Sequence, residues 1–205
     1  MGRATANSYV CSAPEILEIL YAASQLSNVE IIDENCTAEV AAEGLELLGR
    51  AQNFDIRAWA IDALSVSYLR DIPLGSRINV GTAHRLAACV YIVQAIPPVG
   101  DFVGNEAIIS MNRDLREQLK KIPPEDPNFK ATSWTTFIAG AGATDPEDRQ
   151  WAMDRLQKLV SCCPWGFFYT AMETLQVLWR LDASETEGRS WVQTLKDPEL
   201  NFLIV

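Results

Sequence analysis

Residues Thr132–Leu181 read TSWTTFIAGAGATDPEDRQWAMDRLQKLVSCCPWGFFYTAMETLQVLWRL. The order is a short apolar stretch, a glycine-containing hinge, a capped helix, a Pro-Trp-Gly break and a strongly apolar segment ending near Trp179. Thr144-Asp145-Pro146-Glu147 sets a capping residue before a proline suited to the first helical position. The helix it starts carries Ala152, Leu156, Leu159 and Val160 on one stripe, and Pro164 closes it. Beyond the break, Trp165, Phe168, Tyr169, Met172, Leu175 and Trp179 recur at helical spacing, while Phe167, Ala171, Leu178 and Leu181 cover other faces. A helix apolar nearly all round is expected inside, because each large side chain left in water forgoes about 1.5–3 kcal/mol. The expected fold is therefore all-α: an irregular multi-helix bundle of about eight helices around a buried apolar helix, about Trp165–Leu181.

Upstream, the punctuation is also helical. Ser12-Ala13-Pro14-Glu15 reads as a capping box, followed by Ile16, Ile19, Leu20 and Ala23 at helical spacing. Thr37 is expected to cap a second helix, with Ala41, Leu45 and Leu48 on one face and Gly49 near its end. Asp55 caps a third, which stops before Pro73. A fourth is expected over about residues 82–96, ended by Pro97-Pro98, and a fifth over about 106–121. That fifth helix turns Ile108, Met111, Leu115 and Leu119 inward and Arg113, Glu117 and Lys120 outward. Pro123–Asn128 reads as a loop, and a last helix is expected around Arg189–Leu195. Neither strand alternation nor a fixed-period repeat is visible.

Composition sets the function classes. Apolar residues make up 48% and charged residues 21% of 205, which suits an ordinary globular chain and a single domain over residues 1–205. The net charge of −10, without a Lys/Arg cluster, works against phosphate backbones and anionic lipid. Direct nucleic-acid binding and membrane association are therefore not expected of this chain. Its apolar runs fall short of the roughly 20 residues that span a bilayer. Five cysteines without a C-x-x-C pair fit reduced thiols.

The chemistry-bearing residues do not assemble into a catalytic pattern, and neither a catalytic residue nor a metal site is expected. His84 is the sole histidine and is assigned to surface or packing. The run Ala139–Thr144 lacks the lysine of a phosphate loop and follows a helix, so it reads as a hinge. Asp145, Glu147 and Asp148 occupy a first helical turn, where the dipole favours acids. Cys162-Cys163 are read as packing thiols. The aromatic stripe has one functional alternative, an apolar ligand pocket made by Trp165, Phe168, Tyr169, Met172 and Trp179. The acidic, apolar segment over residues 182–205 has two readings: a tail helix packed back through Trp191, or a coactivator-recruiting stretch.

A family resemblance rests on an ordered set of residues. Trp134-Thr135-Thr136-Phe137-Ile138-Ala139-Gly140 resembles a W-P-L-F-I-A-G element, and Asp148-Arg149-Gln150-Trp151 an E-x-R-x-W helix start. Cys163-Pro164-Trp165-Gly166, Ala171-Met172-Glu173, Leu178-Trp179 and Trp191 follow in order. The set is similar to the fungal-specific transcription factor domain, the regulatory region of zinc binuclear cluster transcription factors, with the acriflavine-sensitivity-control type nearest. The resemblance is strongest over residues 131–205 and collinear upstream through Phe54-Asp55, Trp59 and residues 87–93.

The resemblance implies an all-α regulatory domain of a nuclear factor controlling metabolic-cluster or drug-resistance genes. It implies the transcription machinery, a DNA-binding partner or a DNA-binding domain outside this chain as partners. A homodimer and a small apolar effector belong to the same expectation. The six-cysteine zinc cluster and its basic flank do not occur in these residues, so zinc is expected only in a separate N-terminal DNA-binding cluster. Three readings stay open: the C-terminal portion of a longer factor, a truncated product, or a freestanding regulator. The rival function is a small-molecule-binding or enzymatic helical protein of a metabolic pathway.

Overall fold

The structure, a computed structural model, describes residues 11–65, 72–181 and 189–197. It is all-α, as the periodicity predicts, with ten α-helices among the described residues where about eight are expected. They are α1 (Pro14–Leu26), α2 (Glu34–Asn53), α3 (Ile56–Asp62), α4 (Leu74–Ala95) and α5 (Pro97–Val103). The second half adds α6 (Asn105–Lys120), α7 (Ser133–Ala141), α8 (Pro146–Cys162), α9 (Gly166–Leu178) and α10 (Trp191–Leu195). The unexpected element is α5. Pro97-Pro98 stops α4, but proline also suits a first helical turn, so a new helix starts there at once.

Local signals set several helix starts. Asp55 accepts from the Ala58 amide at 2.9 Å and caps α3. Asp145 and Pro146 begin α8 at the expected place, although no side-chain cap bond forms there. Two expected caps are corrected. Asp33, not Thr37, caps α2 by accepting from the Cys36 amide at 2.7 Å, and the Thr37 hydroxyl donates back to the Asp33 carbonyl. Asp33 comes first in the chain and its carboxylate is the stronger acceptor. Ser12 does not cap α1. Its side chain is buried, its hydroxyl finds no partner, and Pro14 leads the helix from an uncapped Ala13.

The largest correction concerns the centre of the fold. The Trp165–Leu181 segment is not the buried pin. Its helix, α9, packs only on α7 and α8 among its principal neighbours, with Trp165 50% and Tyr169 48% exposed. The central element is α4, which touches α1, α2, α3, α5, α6, α7 and α10. It starts at Leu74, directly after Pro73 and well before the expected position. Buried small residues, among them Gly81, Ala83, Ala87, Ala88 and Ala95, occur all around it. Small side chains let neighbouring helices approach from every side, whereas bulky rings need room and fit a rim.

One contiguous buried cluster runs from Cys11 to Leu195 and includes Ile16, Ile19, Ile92, Leu115, Phe137, Leu156 and Phe168. Among the described residues, no single helix is long and apolar enough to cross a membrane. The pair α4 and α5 meets the length and composition test together, but it bends by 107°.

Candidate functional site

The final third is built as a clamp around the α7–α8 hinge. Thr132, Thr135 and Thr136 are buried. The Thr132 hydroxyl donates to the Phe129 carbonyl at 2.7 Å, and the other two donate to the Thr132 carbonyl. Arg155 reaches in from α8. Its Nε donates to the Thr136 hydroxyl (3.2 Å), one terminal nitrogen to the Ile122 carbonyl (3.0 Å) and the other to the Thr132 hydroxyl (3.1 Å). The guanidinium also lies over Phe129 at 4.7 Å. Burial pushes its pKa down to about 10, with Asp126 opposing the shift. This buried cation joins the end of α6, the turn before α7, and α8.

The hinge is held by two side chains from the resembling segment. The Trp179 indole N–H donates to the Gly140 carbonyl at 3.0 Å, and Arg149 Nε donates to the Ala143 carbonyl at 3.1 Å. Arg149 also lies over the Trp179 ring at 5.6 Å. Across from them, the Asn112 side-chain oxygen of α6 lies against Gly142 where any Cβ would stand. A neighbouring ion pair, Arg116 with Asp148, ties α6 to the first turn of α8.

The chain near α10 closes the other side. Ser190 caps α10 by accepting from the Gln193 amide, and its own hydroxyl donates to the Gln94 carbonyl at the end of α4. The Gln193 side chain donates to the Ala95 carbonyl at 2.7 Å. Lys196 donates to the Ser27 carbonyl, the Ser27 hydroxyl and the Asn28 side chain at 2.9, 2.6 and 3.0 Å. These contacts satisfy carbonyls that helix ends leave free. Trp191 meets Phe137 edge-on at 6.0 Å, which is the packed-back arrangement expected of the tail helix. The apolar tail Phe202–Val205 lies outside the described residues.

Between these parts runs a groove of about 470 Å³. Its walls are α6 (Asn105, Ile108, Asn112), the hinge, Arg149, Leu178-Trp179 and the segment Arg189–Trp191. Among the described residues, the groove-lining side chains include no histidine, cysteine or carboxylate. Trp191 Nε1 and Asn112 Oδ1 are both buried, without a hydrogen-bond partner among the described residues.

The five residues of the expected pocket do not converge here. Phe168 is 1% exposed and belongs to the core, Trp165 and Tyr169 face outward, Met172 is half-buried, and only Trp179 of the five borders the groove. Sequence reasoning missed Arg149, Asn112 and Arg189 as wall residues. The only signal for Arg149 was its place in the Asp148–Trp151 element, and nothing local marked Asn112. His84 is a packing residue: it is buried, its Nε2 donates to the Ala131 carbonyl at 3.0 Å, and it stacks on Trp134. Among the described residues, no group of three or more His, Cys, Asp or Glu is arranged to hold a metal.

The fold is thus an all-α domain with a hinge latched by Trp179 and Arg149. The family profile described as "Fungal specific transcription factor domain" matches residues 13–205. The chain belongs to that family and is a regulatory domain of the fungal transcription factor kind. It is similar to the acriflavine sensitivity control protein acr-2 of Neurospora crassa, with 33% identity over 216 residues covering 98% of this chain and 36% of that protein. The chain therefore spans about a third of that relative's length. No solved structure matches it.

Proposed function

We propose that this domain controls transcription in the nucleus through protein contact, without transforming a substrate. The genes it serves belong to drug resistance or to a metabolic cluster. DNA contact comes from outside these residues, through a DNA-binding partner or a zinc-cluster domain, because a net charge of −10 opposes a phosphate backbone. The observation that carries this reading is the family match, which covers residues 13–205 and so includes the latched hinge and groove. The relative's name ties that protein to acriflavine sensitivity, which supports drug response as the controlled process here.

The test is to tether residues 1–205 to a heterologous DNA-binding domain and follow a reporter in a fungal host. Activation or repression of several-fold is expected. A reporter that stays flat, with the fusion protein present in the nucleus, removes the proposal. Self-association belongs to the same reading, and sedimentation that remains monomeric at high concentration removes that part alone.

A further inference from the structure

Arg149 places a cation on the wall of a groove in an acidic chain. The protein carries 27 acids and 17 Lys/Arg, yet among the described residues the groove is lined by Arg149 and Arg189 and by no Asp or Glu, and Arg189 is paired with Asp197 at 3.5 Å. The nearby acid Asp148 is already held by Arg116. Arg149 Nε donates to the Ala143 carbonyl, which anchors the guanidinium, and its Cζ lies 5.6 Å from the centre of the Trp179 ring. No carboxylate among the described residues pairs with it, so its terminal amino groups remain as donors at the wall. A fixed guanidinium matches a carboxylate through two parallel hydrogen bonds. Around it stand flat apolar surfaces: Trp179, Trp191, Leu178 and Ile108. A volume of about 470 Å³ falls within the range of small-molecule sites.

We propose that this groove binds a small planar aromatic carboxylate, with its carboxylate on Arg149 and its ring against Trp179 and Trp191. A neutral apolar molecule would cover the guanidinium without pairing it, which costs free energy. A planar cation would meet the like charge of Arg149. This inference names the effector class for the regulatory reading above and rests on that reading only for the consequence of binding.

The test is calorimetric titration of the full chain with three probes of similar size: naphthoate, naphthamide and naphthylmethylammonium. Naphthoate binds, the amide binds at least about tenfold more weakly, and the ammonium does not bind. Arg149→Gln abolishes the difference between acid and amide, whereas the exposed Lys158→Gln on the same helix leaves it intact. Equal binding of acid and amide by the unaltered protein overturns the proposal, as does no binding of naphthoate at millimolar concentration. These two readouts need no variant, so misfolding of Arg149→Gln does not shield the idea. A tethered domain that is silent on the reporter but still selects naphthoate sinks the regulatory reading alone. A responsive reporter without acid selectivity sinks the ligand class alone.

Discussion

The Trp179 indole donates to the Gly140 carbonyl at 3.0 Å, and the same glycine has no room for a side chain. An ideal Cβ at Gly140 would lie 2.8 Å from Leu175 Cδ1 and 3.0 Å from Ala152 Cβ. One residue thus sets both the hydrogen bond and the close approach that join α7, α8 and α9.

Gly140→Ala is expected to destabilise by about 1–3 kcal/mol, because Leu175 and Ala152 are both buried and must shift. Gly49→Ala in α2 meets nothing within 4 Å and is expected to stabilise by about 0.5–1 kcal/mol through reduced backbone entropy of the unfolded chain. Urea midpoints moving in opposite directions check the pair. Two shifts of the same sign would contradict it.

Truncation separates the two sides of α9. Phe168→Ala removes a fully buried ring and is expected to cost about 3–5 kcal/mol. Trp165→Ala removes a half-exposed ring at the rim and is expected to cost no more than about 1 kcal/mol. Equal losses in chemical denaturation would return α9 to the core.

Arg155 serves three acceptors, two of them hydroxyls that also bond the backbone. Arg155→Met is expected to cost at least about 2 kcal/mol, since the Ile122 carbonyl and two threonines lose a charged donor. Arg155→Lys is expected to recover little, because an ammonium is not a planar fork. Thermal melting of both variants checks this, and full stability in the lysine variant would refute it.

Burial raises the Cys89 thiol pKa from its ordinary 9.0 to about 11. The folded state therefore keeps its proton while the unfolded chain ionises, so this contribution is complete below pH 9 and is lost as pH rises toward 11. The loss approaches about 2–3 kcal/mol for the full shift. Stability measured from pH 7.5 to 10.5 is expected to fall less steeply in Cys89→Ala than in the parent. Parallel slopes would contradict the assignment.

Thiol labelling at neutral pH should follow the same order. Cys162 is exposed and is expected to react first, while Cys11 and Cys89 are buried with thiols pushed up by desolvation. Mass spectrometry of the partly labelled chain reads this out, and early modification of Cys89 would contradict it.

Local signals determined much of this protein in sequence alone. The all-α class, the Asp55 cap, the proline start of α8, the amphipathic α6 and the Trp191 helix all follow from capping and a 3.6-residue period, which act over a few neighbouring residues. The ordered Trp, Gly and Arg set between residues 134 and 179 was enough to place the family. Tertiary packing alone decided which helix lies at the centre. Hydrophobicity makes α9 favour burial, but it does not say how many neighbours can reach it. The small residues of α4 admit neighbours on all sides, and the rings of α9 leave Trp165 and Tyr169 at the surface. The groove was equally out of reach, because Arg149, Asn112 and Arg189 sit on separate elements and meet only after the hinge has closed on Gly142.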